Sequence, residues 1–208
     1  METNWAAEHL QVIRTLMERS AVYRRALAPI MTLLGLVGTL AAIGGRYFKI
    51  ETPSTFAAYW MCVSVVAAIS AFLLVRRQAL KAGEPFWSLP SRRVSQAAMP
   101  ALFAGLLAGV LLGVLAGGAT MPAWWLPSLW MALYGCAVHA AGFFMPRGMK
   151  LFGWIFILAA AIEVFRLRQF SGTPSLATAH CAMGTAFGGL HLAYGIYLYF
   201  TEKKTEAA

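Results

Sequence analysis

Chemistry in a chain this apolar would fall to the few polar side chains inside its apolar segments, and four stand out: His139, Glu163, His180 and His191. A carboxylate or an imidazole in hydrocarbon costs free energy unless it finds a partner, changes protonation or faces a cavity. Glu163 lies within roughly two turns of the outer end of its segment, and His180 about one turn from the outer end of the next. They share a level and are joined by a short connection, so the economical arrangement is a Glu163/His180 polar intramembrane site, responsive to a proton or a cation and opening outward. The competing arrangement pairs Glu163 with Arg166, three residues on, at the helix end. His139 and His191 form a second pair, at depths of roughly 24 and 22 Å from the outer ends of their segments. Two imidazoles at one depth are the ligand set of a bis-histidine b-type haem or of a metal. The alternative is that each bonds a backbone carbonyl, Ser, Thr or Tyr inside a bundle. No catalytic residue follows from motifs, because the chain has no Walker loop, no GxSxG, no HExxH and no dinucleotide fingerprint.

The elements that must position these groups are membrane spans. Sixty per cent of the 208 residues are hydrophobic and 12% are charged, with a mean hydropathy of +0.65. Apolar segments run over 27–47, 55–75, 98–118, 123–144, 151–167 and 176–200, each near the ~20 residues that cross the hydrocarbon layer. The expected fold is an all-α integral membrane bundle of six transmembrane helices. Residues 1–25 make a cytoplasmic amphipathic helix, 26–200 the transmembrane domain and 201–208 a cytoplasmic tail. The formal charge of +9 is explained by orientation and anionic lipid rather than nucleic acid. With the N-terminus inside, Arg14, Arg19, Arg24, Arg25, Arg76, Arg77, Lys81, Arg92, Arg93, Arg147, Lys150, Lys203 and Lys204 are cytoplasmic. Only Arg46, Lys49, Arg166 and Arg168 are outside, so both termini are expected to be cytoplasmic. Charges throughout the first 25 residues leave no apolar region for a cleaved signal peptide.

The last segment is the centre of the pattern. At about 100° per residue, His180, Gly184, Phe187, Gly188, His191, Tyr194, Gly195 and Leu198 form one stripe, expected to face protein. Ala182, Ala186, Ala193, Ile196 and Phe200 lie opposite, expected to face lipid. Glycines on such a stripe, Gly184 and Gly188 among them, admit a neighbouring backbone closely. The third segment repeats the device at Gly105, Gly109, Gly113 and Gly117. Residues 35–45 resemble 109–118, and Trp60-Met61 recurs as Trp130-Met131, which hints at a duplicated hairpin. Cys62, Cys136 and Cys181 fall inside spans in no CxxC pattern and read as packing thiols.

Residues 4–22 place Trp5, Leu10, Ile13, Leu16, Met17 and Ala21 near one face, as an interfacial helix does. Residues 76–97 read as a basic loop interrupted by Pro85 and Pro90, too short for a core of its own. The run Ala7-Glu8-His9-Leu10 through Ile13-Arg14-Thr15-Leu16-Met17-Glu18-Arg19, with Gly188-Gly189-Leu190-His191 and Tyr194-Gly195, resembles a group of small bacterial multi-span membrane proteins of unassigned function. The resemblance implies a bacterial inner-membrane location and carries no catalytic role. The expected function is non-enzymatic and without cofactor: a sensor, regulator or assembly partner that meets a cytoplasmic protein through 4–22 and 76–97. A small proton- or cation-coupled transporter or channel built on Glu163 and His180 is the alternative. A haem- or metal-binding electron-transfer protein built on His139 and His191 is the third.

Overall fold

The structure, a computed structural model, describes residues 27–81, 83, 87, 89–115, 122–145, 148–169 and 174–206. The amphipathic helix expected over 4–22, Gly117 and part of the basic loop lie outside the described residues. Every described element is helical, and no strand occurs among them. In chain order they are α1 (Leu27–Tyr47), α2 (Pro53–Lys81), α3 (Leu89–Ala108) continuing as a π-helical segment (Gly109–Leu115), and α4 (Leu126–Ala141), with the 3₁₀ turns Ala123–Trp125 before it and Gly142–Phe144 after it. Then come α5 (Gly148–Arg168) and a last rod composed of α6 (Leu176–Met183), a π-helical segment (Gly184–Leu190) and α7 (His191–Glu206). Among the described residues four helices, Leu27–Tyr47, Pro53–Lys81, Ser91–Leu115 and Gly148–Arg168, are long and apolar enough to cross a membrane.

Local chemistry sets several boundaries. Lys49 takes a left-handed φ of 51° and ends the turn after α1. Thr52 accepts the Thr55 N–H at 3.3 Å ahead of α2, and Ser175 accepts the Thr178 N–H at 3.3 Å ahead of α6. The region 76–97 departs from expectation, since residues 76–81 complete α2 and 89–97 open α3. Arg, Gln, Ala, Leu and Lys are strong helix formers, and Pro90 falls in the first turn, where its missing N–H is no loss.

Glycine contacts fix how the rods lie. A Cβ on Gly35 would meet the Leu192 nitrogen at 2.6 Å, one on Gly38 the Phe187 carbonyl carbon at 2.7 Å, and one on Gly195 the Thr32 nitrogen at 2.8 Å. Gly188 abuts Thr39, Gly184 abuts Ala42, and Gly45 abuts the His180 ring. As numbers rise along α1 they fall along the last rod, so the two are antiparallel and their backbones touch over four turns. The same logic makes α4 and α5 antiparallel, through Gly135 and Gly153 set against each other and Gly142 against Lys150. Of the α3 stripe, Gly109 sits against Met61 and Trp130, and Gly113 against Ala57 and Leu126. Gly105 has only ordinary contacts with Trp130 and Leu133, and its carbonyl accepts the Trp130 indole N–H at 2.9 Å.

Two apolar clusters result. One gathers Met31, Met131, Phe152, Phe156, Ala160, Ala182 and Ala186. The other gathers Ala42, Phe56, Ala57, Trp60, Leu126, Ala179 and Met183. The last rod contributes to both, and Phe187 packs against both. Ala182 and Ala186 are therefore buried rather than lipid-facing, because both apolar clusters close on that side of the rod's first half and leave Cys181, Thr185 and Gly189 as its exposed strip, whereas Ile196 and Phe200 of its second half are exposed. Helix α2 is the opposite case: Phe56, Ala57 and Trp60 are its only buried residues, and after Met61 and Val63 of its third turn it leaves the core. The three cysteines are free and exposed rather than packed inside; a small apolar thiol sits on a lipid-facing surface at little cost.

Candidate functional site

His180 sits one turn into α6, where Gly45 lets its ring lie flat against α1. It is fully enclosed, with 0% of its surface exposed, and the rings of Phe56, Tyr59 and Trp60 pack round it at centroid distances of 4.9, 5.9 and 5.9 Å. The Trp60 indole N–H donates to Nδ1 at 3.1 Å, and Nε2 faces the Ile50 carbonyl at 3.0 Å. An indole nitrogen can only donate and a carbonyl can only accept, so the network assigns a neutral imidazole with its proton on Nε2. Both ring nitrogens are thereby satisfied inside an aromatic box.

Glu163 is buried, at 8% exposure, on α5. Its carboxylate accepts a fork from Arg166, Nε to Oε2 at 2.8 Å and Nη2 to Oε1 at 2.5 Å. Glu163 and His180 are not paired with each other: the acid takes its cation from its own helix and the imidazole takes its partners from α2 and the loop after α1. The residues that connect them were not legible in the sequence. Arg46 at the end of α1 donates to the Cys181 thiol at 2.9 Å, and Cys181 also lies in the field of Arg166. Arg46, Cys181, Arg166 and Glu163 thus line one end of the bundle beside the enclosed His180.

The second enclosed imidazole is His191, 2% exposed, where the π-helical segment returns to α-helix. Its Nε2 is 2.7 Å from the Tyr134 hydroxyl. Phe152, Phe156, Phe187 and Tyr134 surround the ring at 5.2–6.4 Å. Nδ1 makes no hydrogen bond, although the ring lies beside the carbonyls of Ala186 and Phe187. His139 is elsewhere. Its Nδ1 is 3.3 Å from the Lys150 carbonyl and its ring packs on Phe143 and the half-exposed Trp154. Iron between the two imidazoles does not fit this arrangement, because Tyr134 occupies the Nε2 of His191 and the rings lie toward different residues of α5. No group of three or more His, Cys, Asp or Glu side chains converges among the described residues.

Trp60, Arg46 and the Ile50 carbonyl are thus the site partners that sequence reasoning passed over, whereas Tyr134 at His191 and the Lys150 carbonyl at His139 are partners of the kind the alternative reading expected. A signal existed for the first: a tryptophan deep in an apolar segment carries an indole N–H that must find an acceptor. Comparison with known proteins finds no match to a family model, a curated protein or a solved structure. Nothing in the chain or in these comparisons supports an enzymatic activity.

Proposed function

We propose that this chain is a non-enzymatic, six-span protein of the bacterial inner membrane with both termini in the cytoplasm. It acts as an assembly or regulatory partner rather than as a pore. The observation that carries this reading is the state of its intramembrane polar groups. His180 is bonded at both nitrogens and Glu163 is bound by a forked Arg166, and both histidine rings of the last rod are filled round by aromatic side chains. A transported proton or cation needs a wet path with exchangeable ligands. What remains outward is a basic end: Arg76, Arg77 and Lys81 close α2, and Arg92 and Arg93 open α3. None is in an ion pair with an acidic side chain among the described residues. Together with residues 4–22, this end supplies the contact surface for a cytoplasmic component.

A crosslinking and flux experiment tests the reading. A photoreactive residue at Gln96, exposed on α3, should give one discrete protein adduct in intact cells, lost in R92Q/R93Q, while the purified chain in liposomes passes no protons. Proton flux that disappears in Glu163→Gln would establish the transport alternative instead. Labelling of Gln96→Cys by an impermeant reagent outside intact cells would overturn the orientation.

A further inference from the structure

The last turns of α2 carry more than a charge that orients the helix. Leu73, Arg76, Arg77, Leu80 and Lys81 line an open groove on the surface of this one helix. At about 100° per residue they follow one another round it as Arg76, Leu80, Leu73, Arg77, Lys81, within an arc of roughly 140°. Two leucines thus form the floor, with a guanidinium on each side and an ammonium beyond. Cys62, Val66 and Ile69 continue the same face toward the membrane centre, and all are exposed. This face is a shallow, open apolar strip that ends in three cations.

Depth places it at the lipid headgroups. Counting from Pro53 at 1.5 Å per residue, about 30 Å of hydrocarbon is crossed near Leu73, and Arg76 to Lys81 lie roughly 5–12 Å beyond. Helix α2 is 29 residues long, so it overshoots the apolar layer by about two turns. Beyond Met61 and Val63, which still pack on Gly109 and the second apolar cluster, it has no fully buried residue, so its exposed face there is open to lipid chains. No acidic side chain among the described residues neutralises the three cations.

The geometry points to a binding site for an anionic glycerophospholipid on α2, its phosphate held between Arg76, Arg77 and Lys81 and its acyl chain laid along Leu80, Leu73, Ile69 and Val66. A guanidinium pair presents parallel N–H donors that match a phosphate diester. The leucine floor selects a phosphate that carries a chain over one that is free. A zwitterionic lipid brings its own ammonium into the same space and is disfavoured by like charge. The site is independent of which side of the membrane this end faces and of the assembly role proposed above.

The test uses the full-length chain in a neutral detergent, titrated with dioctanoyl-phosphatidylglycerol while the thermal unfolding midpoint is followed. Because a ligand of the folded state stabilises by mass action, the midpoint should climb with lipid concentration. Dioctanoyl-phosphatidylcholine and inorganic phosphate should leave it in place. Each cation near an anionic lipid contributes roughly fivefold, so R76Q/R77Q/K81Q should shift the titration by on the order of 100-fold. The charge-matched R92Q/R93Q/K203Q should titrate like the parent. Equal responses to the two lipids, or equal losses in the two triple variants, would overturn the site in favour of diffuse attraction. Native mass spectrometry of the parent needs no variant: one phosphatidylglycerol should be retained in preference to phosphatidylcholine, and indiscriminate retention would count against the groove.

Discussion

Replacing Trp60 by phenylalanine removes one N–H from a fully closed site, and its cost can be worked from the geometry. The indole donates at 3.1 Å to His180 Nδ1, and no water reaches a ring with 0% exposure. Leaving a buried acceptor unpaired costs about 1–3 kcal/mol in water-soluble proteins. Hydrogen bonds between membrane helices average only about 0.6 kcal/mol, because the dissociated helices find other partners. The smaller ring also leaves a gap of roughly 35 Å³, worth about 0.8 kcal/mol at 24 cal/mol per Å³. With the membrane average the terms add to about 1.4 kcal/mol, the lost hydrogen bond and the cavity contributing similarly. His180→Leu separates them, since it strands the Trp60 N–H and the Ile50 carbonyl together. Reversible detergent-induced unfolding of both single variants and of the double variant, read by far-UV circular dichroism, should give a coupling of about 1 kcal/mol. A coupling below about 0.3 kcal/mol would refute the bond as a stabilising contact. A ¹⁵N spectrum showing a protonated Nδ1 on His180 would refute the tautomer.

The glycine contacts make a graded series. Gly38→Ala and Gly188→Ala each drive a methyl into backbone atoms of the facing rod and should lose more than about 2 kcal/mol or fail to accumulate in the membrane, whereas Gly189→Ala, with nothing within 4 Å, should melt like the parent. Gly113→Ile should be destabilised by collision with Ala57 and Leu126, and a parental melting point would mean that α2 does not pack there. Glu163→Gln leaves the shape and removes the charge facing Arg166; with the guanidinium 41% exposed, the loss should be about 1 kcal/mol and should shrink in high salt.

Depth along a helix could be read from the sequence, and direction round it could not. The apolar runs fixed where helices begin and end to within a few residues, except around 76–97, where polar helix formers extended α2 and α3 beyond the apolar stretch. The alternating rods do set His139 and His191 near one level, since Gly153 meets His139 while Phe152 and Phe156 meet His191. One side chain, however, turns toward Trp154 and the other toward Tyr134. Counting 1.5 Å per residue carries no azimuth, and a six-rod packing has too many neighbour pairings for one stripe to choose among them. The glycine stripe of the last rod announced a close neighbour without identifying it. Only the matching glycines of α1, at Gly35, Gly38 and Gly45, tell which helix can come so near. The apparent symmetry of Trp60-Met61 and Trp130-Met131 also hid a difference, for Trp60 holds an imidazole and Trp130 a backbone carbonyl.

That the first described helix nestles against the last imposes an order of events on biosynthesis. Gly38 emerges about 150 residues before its partner Gly188, which at about 5–20 residues per second is roughly 8–30 s. During that interval the bare backbone stripe of α1 has no mate of its own chain and lies open to lipid or to whatever insertion machinery holds nascent helices. The same is true of the aromatic box: Phe56, Tyr59 and Trp60 can be in place before the imidazole they enclose has been made. Closure is therefore a terminal event that follows synthesis of the last rod, and a ribosome stalled ahead of Leu176 would display an incomplete ring whose exposed glycines mark it as unfinished.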